Sequence, residues 1–196
     1  MLDSKEKIVL FPVILSLFDQ SGVWSKPYKE AGYNVIRVDL SEGDDVRLFK
    51  IVPDVRGILA APPCTAFALS GAQYWGEKDK NGKTLDALSM VDSVMRIIMV
   101  HEPVWWVLEN PVGRLNKWLG EPTMRFHPYE YGDPYKKKTC LWGNFNIPEK
   151  NVVDPIRGTK QGSWIQSVGG STKDREKIRS ITPEGFSRAF FNANPY

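Results

Sequence analysis

Short apolar runs, separated by polar turns that contain glycine or proline, recur along the first two thirds of the chain. Their spacing predicts buried strands alternating with helices. Val13 to Phe18 (VILSLF) is continuously apolar, as expected of a strand covered on both faces. It ends at Asp19-Gln20-Ser21-Gly22, a turn-forming cluster. Trp24 to Ala31 follows as a short helix with Pro27 in its first turn, where proline is tolerated. Gly32 stops that helix, and Val35 to Val38 (VIRV) forms a second strand closing on Asp39. Gly57 to Ala61 (GILAA) is a third strand, running into Pro62-Pro63-Cys64. Leu85, Leu88, Val91, Met95, Ile98 and Met99 recur at helical spacing within Leu85 to Val100 and predict one apolar face. Pro103 ends that helix, and Val104 to Leu108 (VWWVL) is a fourth strand, followed by Glu109-Asn110-Pro111.

This alternation predicts an α/β fold with a single doubly wound, mostly parallel sheet of the Rossmann-like type. Ligands in such sheets sit beyond the carboxyl ends of the strands, so the tripeptides there carry the interest. The polar stretch from Gly71 to Lys83 reads as a loop. Met124 to Tyr131 and Thr139 to Trp142 read as two strands around the turn Gly132-Asp133-Pro134, an antiparallel hairpin at one edge. Asn144 to Lys177 is rich in Gly, Ser, Lys and Pro with little periodicity and reads as an insert or mobile loop. A last helix is expected over Pro183 to Phe190, with Thr182 as its N-cap.

Composition adds bounds. At 196 residues, 42% hydrophobic and 25% charged, the chain matches one globular domain over residues 1–196. A domain of this length buries roughly 70% of its extended surface. Met1 to Lys7 is too short and charged for a signal peptide, and no run of 18 apolar residues occurs, so a cytoplasmic protein away from membranes is expected. Cys64 and Cys140 make no disulfide framework, and no Cys/His spacing suits a metal. The net charge of +3 is mild, but basic residues gather at Lys136-Lys137-Lys138 and from Lys173 to Arg179. Such runs are either solvated faces or phosphate contacts.

Three strand ends present reactive groups. Phe18-Asp19-Gln20-Ser21-Gly22 is a turn feeding a helix, where a nucleoside cofactor would dock, although the three-glycine dinucleotide fingerprint is lacking. Asp39 is placed for ribose hydroxyls, or for ordinary turn chemistry. Two prolines hold Cys64 in a rigid loop at the sheet edge, whereas Cys140 sits inside an apolar run and reads as structural. A nucleophilic cysteine requires partial exposure and an electropositive setting that lowers its pKa. Glu109 stands at the tip of an apolar strand, where desolvation would raise its pKa and suit it to general acid work. It or Asn110 alternatively caps the next helix.

These segments resemble, in order, the motifs of the cytosine C5 DNA methyltransferase family. Val13 to Gly22, with Lys29 to Tyr33, is similar to the opening S-adenosylmethionine motif, and Asp39 to the acidic residue that holds the cofactor ribose. Gly43-Asp44-Asp45 resembles the motif whose aspartate meets the adenine amino group. Ala61-Pro62-Pro63-Cys64 with Phe67 resembles the Pro-Cys loop, and Glu109-Asn110-Pro111 the Glu-Asn motif. Tyr131-Gly132-Asp133-Pro134 resembles the Tyr-Gly-x-Pro-Gln hairpin, and Arg179 to Phe191 the Arg-x-Leu-Thr-Pro-x-Glu segment. The resemblance implies S-adenosylmethionine as cofactor, held by Phe18, Asp19, Ser21, Gly22, Trp24, Asp39, Leu40, Asp44, Asp45 and Pro62. It implies Cys64 as nucleophile at cytosine C6, with Glu109, Asn110 and Lys137 beside it, acting on a flipped or single-stranded base in DNA.

The sequence departs from that family in two respects. Lys137 stands at the first arginine of the hairpin's Gln-x-Arg-x-Arg and Thr139 at the second, which keeps charge but loses the planar fork. Residues 144–178 stand in place of a target-recognition region often a hundred residues or longer, and no Asn-containing C-terminal helix follows. The expectation is that sequence readout is minimal, or else that a partner subunit or dimer mate supplies it. The same chemistry on RNA or a free cytidine nucleotide, and an inactive relative that binds cofactor or nucleic acid, stay open. An amino methyltransferase is disfavoured, because Ala61-Pro62-Pro63-Cys64 lacks the polar residue before Pro-Pro and the aromatic after it.

Overall fold

The computed structural model describes residues 12–156 and 178–195. The apolar runs become neighbours in one six-stranded sheet, ordered β2-β1-β3-β4-β6-β5. β1 (Val13–Leu17), β2 (Asn34–Val38), β3 (Val55–Ala60) and β4 (Trp105–Pro111) pair in parallel. β6 (Thr139–Asn144) runs antiparallel to β4, and β5 (Met124–Phe126) antiparallel to β6. The fold is mixed α/β.

Both faces of the sheet are covered, which explains why the central strands β1 and β3 are almost wholly buried, while the edge strand β2 is only partly so. On one face Leu15, Leu17, Ile58, Ala60 and Leu108 meet α3 (Lys83–His101) through Ala87, Val91, Val94 and Ile98. On the other, Ile14, Leu59, Trp105 and Val107 meet α1 (Lys26–Glu30) and α5 (Glu184–Ala193) through Tyr28, Phe186 and Phe190. α3 spans almost the predicted range, but its buried stripe is rotated. Leu85 and Met99, expected on the apolar face, are 71% and 70% exposed, while Ala87 and Val94 take the core positions. Spacing alone could not choose between two adjacent apolar stripes.

The register fixes where the site lies. Leu17 is level with Val38 on one side and Ala60 on the other, and Ala60 is level with Leu108. β1, β2 and β3 therefore end together, whereas β4 continues. Glu109, Asn110 and Pro111 pair with Leu141, Cys140 and Thr139 of β6. The strand predicted to stop at Leu108 is longer because an antiparallel neighbour satisfies its backbone beyond the parallel edge.

The last third differs from expectation. β5 is shorter than the predicted Met124 to Tyr131, and a 3-10 turn at Pro128–Glu130 precedes Gly132-Asp133-Pro134, so no tight hairpin turn forms there. The mobile loop expected from Asn144 onward is pinned over residues 145–156. Asn146 exchanges hydrogen bonds with Asn194, and Asn151 N, Val153 N and Ile156 N donate to Glu130 O, Tyr129 O and Pro134 O. The rest of that insert, with the basic residues Lys173 to Lys177, lies outside the described residues. α5 begins after Pro183 rather than being capped by Thr182. Its cap comes from far away in sequence: Gly185 N donates to Asp133 Oδ2 at 2.9 Å. Among the described residues no helix is long and apolar enough to cross a membrane.

Gly57 lies face to face with Trp105 across the parallel pair, where a Cβ would fall 2.1 Å from Trp105 Cζ2. Gly57→Ala is expected to cost roughly 1–3 kcal/mol through overpacking. The measurement is urea unfolding, with a lower midpoint at unchanged m value.

Candidate active site

Cys64 follows β3 directly. Its carbonyl accepts from Phe67 N at 2.9 Å and Ala68 N at 2.8 Å, so residues 64–68 form one tight turn with Cys64 at its start. Asn110 holds the entry to that turn: its Nδ2 donates to Pro62 O at 2.9 Å from a fully buried side chain. Asn110 is thus a strand residue that fastens the Pro-Cys loop, not a helix cap. Its Oδ1 is buried without a hydrogen-bond partner among the described residues.

Glu109, one position earlier on β4, shares an electrostatic environment with Cys64 and Lys137. Burial raises the Glu109 carboxyl above its ordinary range, and Lys137 works against that rise. Burial also pushes the half-buried Cys64 thiol up, the Glu109 charge adds to the rise, and Lys137 and Arg179 oppose it. The electropositive setting expected for Cys64 is therefore present but outweighed. The resting group is held as the thiol. Glu109 also raises Tyr135 and Cys140 on neighbouring segments, after burial as the main cause. Cys140 is buried in β6, as its apolar surroundings imply.

A second cluster surrounds the turn between β1 and α1. Phe18 has φ 61°, a left-handed conformation costly for a bulky side chain, and such strain gathers at ligand clamps. Gly22 also has positive φ, and Arg37 Nη1 would lie 2.8 Å from any Cβ there. Asp19 was expected to face a cofactor, but its carboxylate is consumed by the turn itself. It accepts from Ser16 Oγ at 2.9 Å, Ser25 N at 3.1 Å, Ser25 Oγ at 2.7 Å and Ser21 Oγ at 3.3 Å. Trp24 was expected on the cofactor side as well, yet it is 1% exposed and packs edge-on against Phe190 in the core. Trp24, just before α1, and Tyr28 within it are both buried on the inward side.

Asp39 stands at the end of β2 beside Phe18, whose N donates to Val38 O. One carboxylate oxygen, Oδ1, caps Ser41 at 2.8 Å, and Oδ2 has no hydrogen-bond partner among the described residues. Leu40, 60% exposed, follows Asp39, and the exposed Asp44 donates its N to the Asp39 carbonyl at 3.2 Å. Asp45 points elsewhere. It grips Arg47 through both oxygens, and these hydrogen bonds hold its carboxyl below the usual range. Of the two adjacent aspartates, Asp44 is the one left for a ligand. Pro62 is buried in the loop.

The segment expected as a loop from Gly71 to Lys83 is instead a 3-10 turn at Leu69–Tyr74 followed by α2 (Trp75–Lys80). Arg114, which drew no attention in the sequence, explains why. It follows β4 and precedes α4 (Asn116–Leu119), and its guanidinium is buried. It donates to Ala66 O, Asp79 and Thr84 Oγ1, and lies against the rings of Trp75 and Trp118. No local signal marks such a residue, since its partners come from four separate segments. Among the described residues no group of three or more His, Cys, Asp or Glu side chains is placed to hold a metal ion.

A mixed α/β fold with a cysteine loop, a half-buried carboxylate and an acidic strand end on one edge of its sheet defines the class of site. No known family profile matches the chain. It is 29% identical over 126 residues to a type II methyltransferase, M.DdeI, of Desulfomicrobium norvegicum, a match spanning 53% of this chain and 28% of the relative. The chain thus covers little more than a quarter of that curated relative. A crystal structure described as a prophage-encoded DNA modification methyltransferase (E. coli) aligns with TM-score 0.48 and 16% identity, over 74% of this chain and 52% of that one.

The charges around Cys64 predict opposite effects of two substitutions. Glu109→Gln removes a negative neighbour and should lower the pH midpoint of Cys64 alkylation; Lys137→Ala removes a positive one and should raise it. Site-resolved mass spectrometry of iodoacetamide labelling against pH gives both midpoints.

Proposed function

We propose that the protein transfers a methyl group from S-adenosylmethionine to C5 of cytosine in DNA, by way of a transient Cys64 adduct at C6. The observation that carries this reading is the meeting of Cys64, Glu109 and Lys137 at one edge of the sheet, with the carboxyl of Glu109 raised by burial. Similarity to a type II methyltransferase over half of the chain supports it.

The acceptor set suits the cofactor. A free carboxylate oxygen on Asp39 fits ribose hydroxyls, and the exposed carboxylate of Asp44 fits an adenine amino group. Phe18, Ser21, Gly22, Leu40 and Pro62 line the approach, whereas Asp19 shapes the turn and Trp24 supports it from below. When bound, S-adenosylmethionine supplies an electrophilic methyl group.

Cytosine C5 is a poor nucleophile until the ring is activated. Cys64 gives its proton to solvent and its sulfur adds to C6, while Glu109 in its protonated form donates to N3. The resulting enamine accepts the methyl group at C5. Loss of the C5 proton to solvent then expels Cys64, and return of the N3 proton to Glu109 restores the aromatic ring and the acid. Lys137 steadies the thiolate at the moment of attack, and Asn110 holds the loop that carries it. The ring is reached only outside the duplex stack, so the substrate base is flipped or single-stranded. We further propose one cytoplasmic domain over residues 1–196, in which residues 144–178 replace a recognition region and a partner subunit or dimer mate supplies selection.

Oligonucleotides containing 5-fluorocytosine block the final proton loss and trap the adduct. Incubated with cofactor and DNA of this kind, the protein should gain the mass of the oligonucleotide, and Cys64→Ser should not. An adduct with RNA or a nucleotide alone would change the substrate. None with any of the three, despite measurable cofactor binding, would overturn the reading.

A further inference from the structure

We infer that Arg114 is a positioning residue for Cys64, a clamp that holds the far end of the nucleophile's turn against α2, α3 and β4. This rests on Cys64 being the nucleophile. The turn 64–68 is anchored at its start by Asn110 through Pro62 O. Its other end has no neighbouring strand, and three contacts from the segment after β4 take that place. Arg114 N donates to Phe67 O at 2.9 Å, Leu69 N donates to Val112 O at 2.9 Å, and Ala68 bridges Gly113. The approach is so close that a Cβ on Gly113 would lie 1.9 Å from Phe67 O.

The side chain of Arg114 then ties that contact to the rest of the site. Nε donates to Ala66 O at 2.9 Å, two residues after Cys64. Nη1 meets Asp79 Oδ2 at 2.9 Å, and Nη2 meets Thr84 Oγ1 and Asp79 Oδ1, each at 2.8 Å. Trp75 and Trp118 flank the guanidinium, with its carbon 4.9 and 5.8 Å from their ring centres. Lys78 of α2 adds a bond to Thr65 O at 2.6 Å. A planar fork that serves a carbonyl, a carboxylate and a hydroxyl at once cannot be replaced by the point charge of lysine. With Arg114 in place, the segment after Cys64 is fixed at both ends. Without its side chain, the turn keeps the Asn110 anchor, the Lys78 bond and the backbone contacts to Val112 and Arg114, but loses the tie from Ala66 O to Asp79 and Thr84.

The test uses the full chain with Arg114→Lys, and Asp79→Asn as a milder second variant should the first fail to fold. Two readouts are taken. The first is kcat and KM for methyl transfer to DNA. The second is the iodoacetamide reactivity of Cys64 against pH, with buried Cys140 as an internal control. The charged and titratable groups facing Cys64 are Glu109, Lys137 and Arg179. They are unchanged in both variants. A loosened turn should lower kcat roughly 10- to 100-fold at unchanged KM, since small misplacements of a reacting group cost that much. Cys64, better solvated, should label faster and with a lower pH midpoint, while Cys140 stays as in the wild type. Equal acceleration at both cysteines would mean general loosening and would overturn the inference, as would wild-type behaviour of Cys64. If the wild type transfers no methyl group to any nucleic acid, the functional reading fails, yet the labelling comparison still decides whether Arg114 holds the turn.

Discussion

A strand buried in a sheet can carry functional side chains only as far as some neighbour accepts its backbone hydrogen bonds. That constraint governs this site. β1, β2 and β3 stop level with one another, and β4 would have to stop at Leu108 if it had parallel partners alone. β6 enters antiparallel on the other side and pairs with β4 as far as Pro111. The extra residues include Glu109 and Asn110. One brings a carboxyl into the same environment as the cysteine, and the other grips the loop that carries it. The change of direction at the β4–β6 pair is therefore what places the proposed chemistry, more than any feature of the parallel strands.

The electrostatics follow from that placement. Glu109 and Cys64 are both desolvated, and each in its charged form disfavours the charge of the other. Lys137 sits near both and favours both charged forms. Such a group does not rest as a reactive thiolate. It rests as a thiol beside a carboxyl whose protonated form burial favours, an arrangement that suits a donor at N3 and protects the nucleophile. The balance shifts toward thiolate when negative charge on Glu109 is absent and the lysine is retained, the condition in which ring addition requires both proton donation and attack.

Much of the parallel half was legible because it depends on local pattern. Continuous apolar runs gave β1 to β4 within a residue or two at most boundaries, and the long helix α3 was readable from its period. The Pro-Pro loop points to Cys64, and a carboxylate at an apolar strand end points to Glu109, a half-buried residue whose carboxyl desolvation raises. What failed was non-local. Nothing near Asp133 signals that it caps a helix beginning at Glu184, and nothing near Arg114 signals partners at Ala66, Asp79 and Thr84. Asp19 and Trp24 were assigned to the cofactor by their place in a motif, but a motif position does not reveal whether a side chain turns outward or inward. For Asp19 the serines at 16, 21 and 25 decide it; for Trp24 the aromatic surface of α5 does.

α5 shows how far such distant contacts reach. At one end its first turn is bonded to Asp133, and Gly185 lies so close to Tyr131 that a Cβ would fall 1.9 Å from Tyr131 O. Along its length Phe190 meets Trp24 and Trp105, and Phe191 meets Tyr28. At its far end Tyr28 donates to Asn194 O at 2.8 Å, and Asn194 is locked to Asn146. One helix thus joins the segment carrying Lys137 to the underside of the β1–α1 turn. The two halves of the proposed site, one for the reacting base and one for the cofactor, are built from different strand pairs, β3–β4 and β1–β2, that meet where β1 pairs with β3. A rigid aromatic helix across the back of the sheet limits how independently they move, so their spacing is a property of the packed core as much as of the loops that line it.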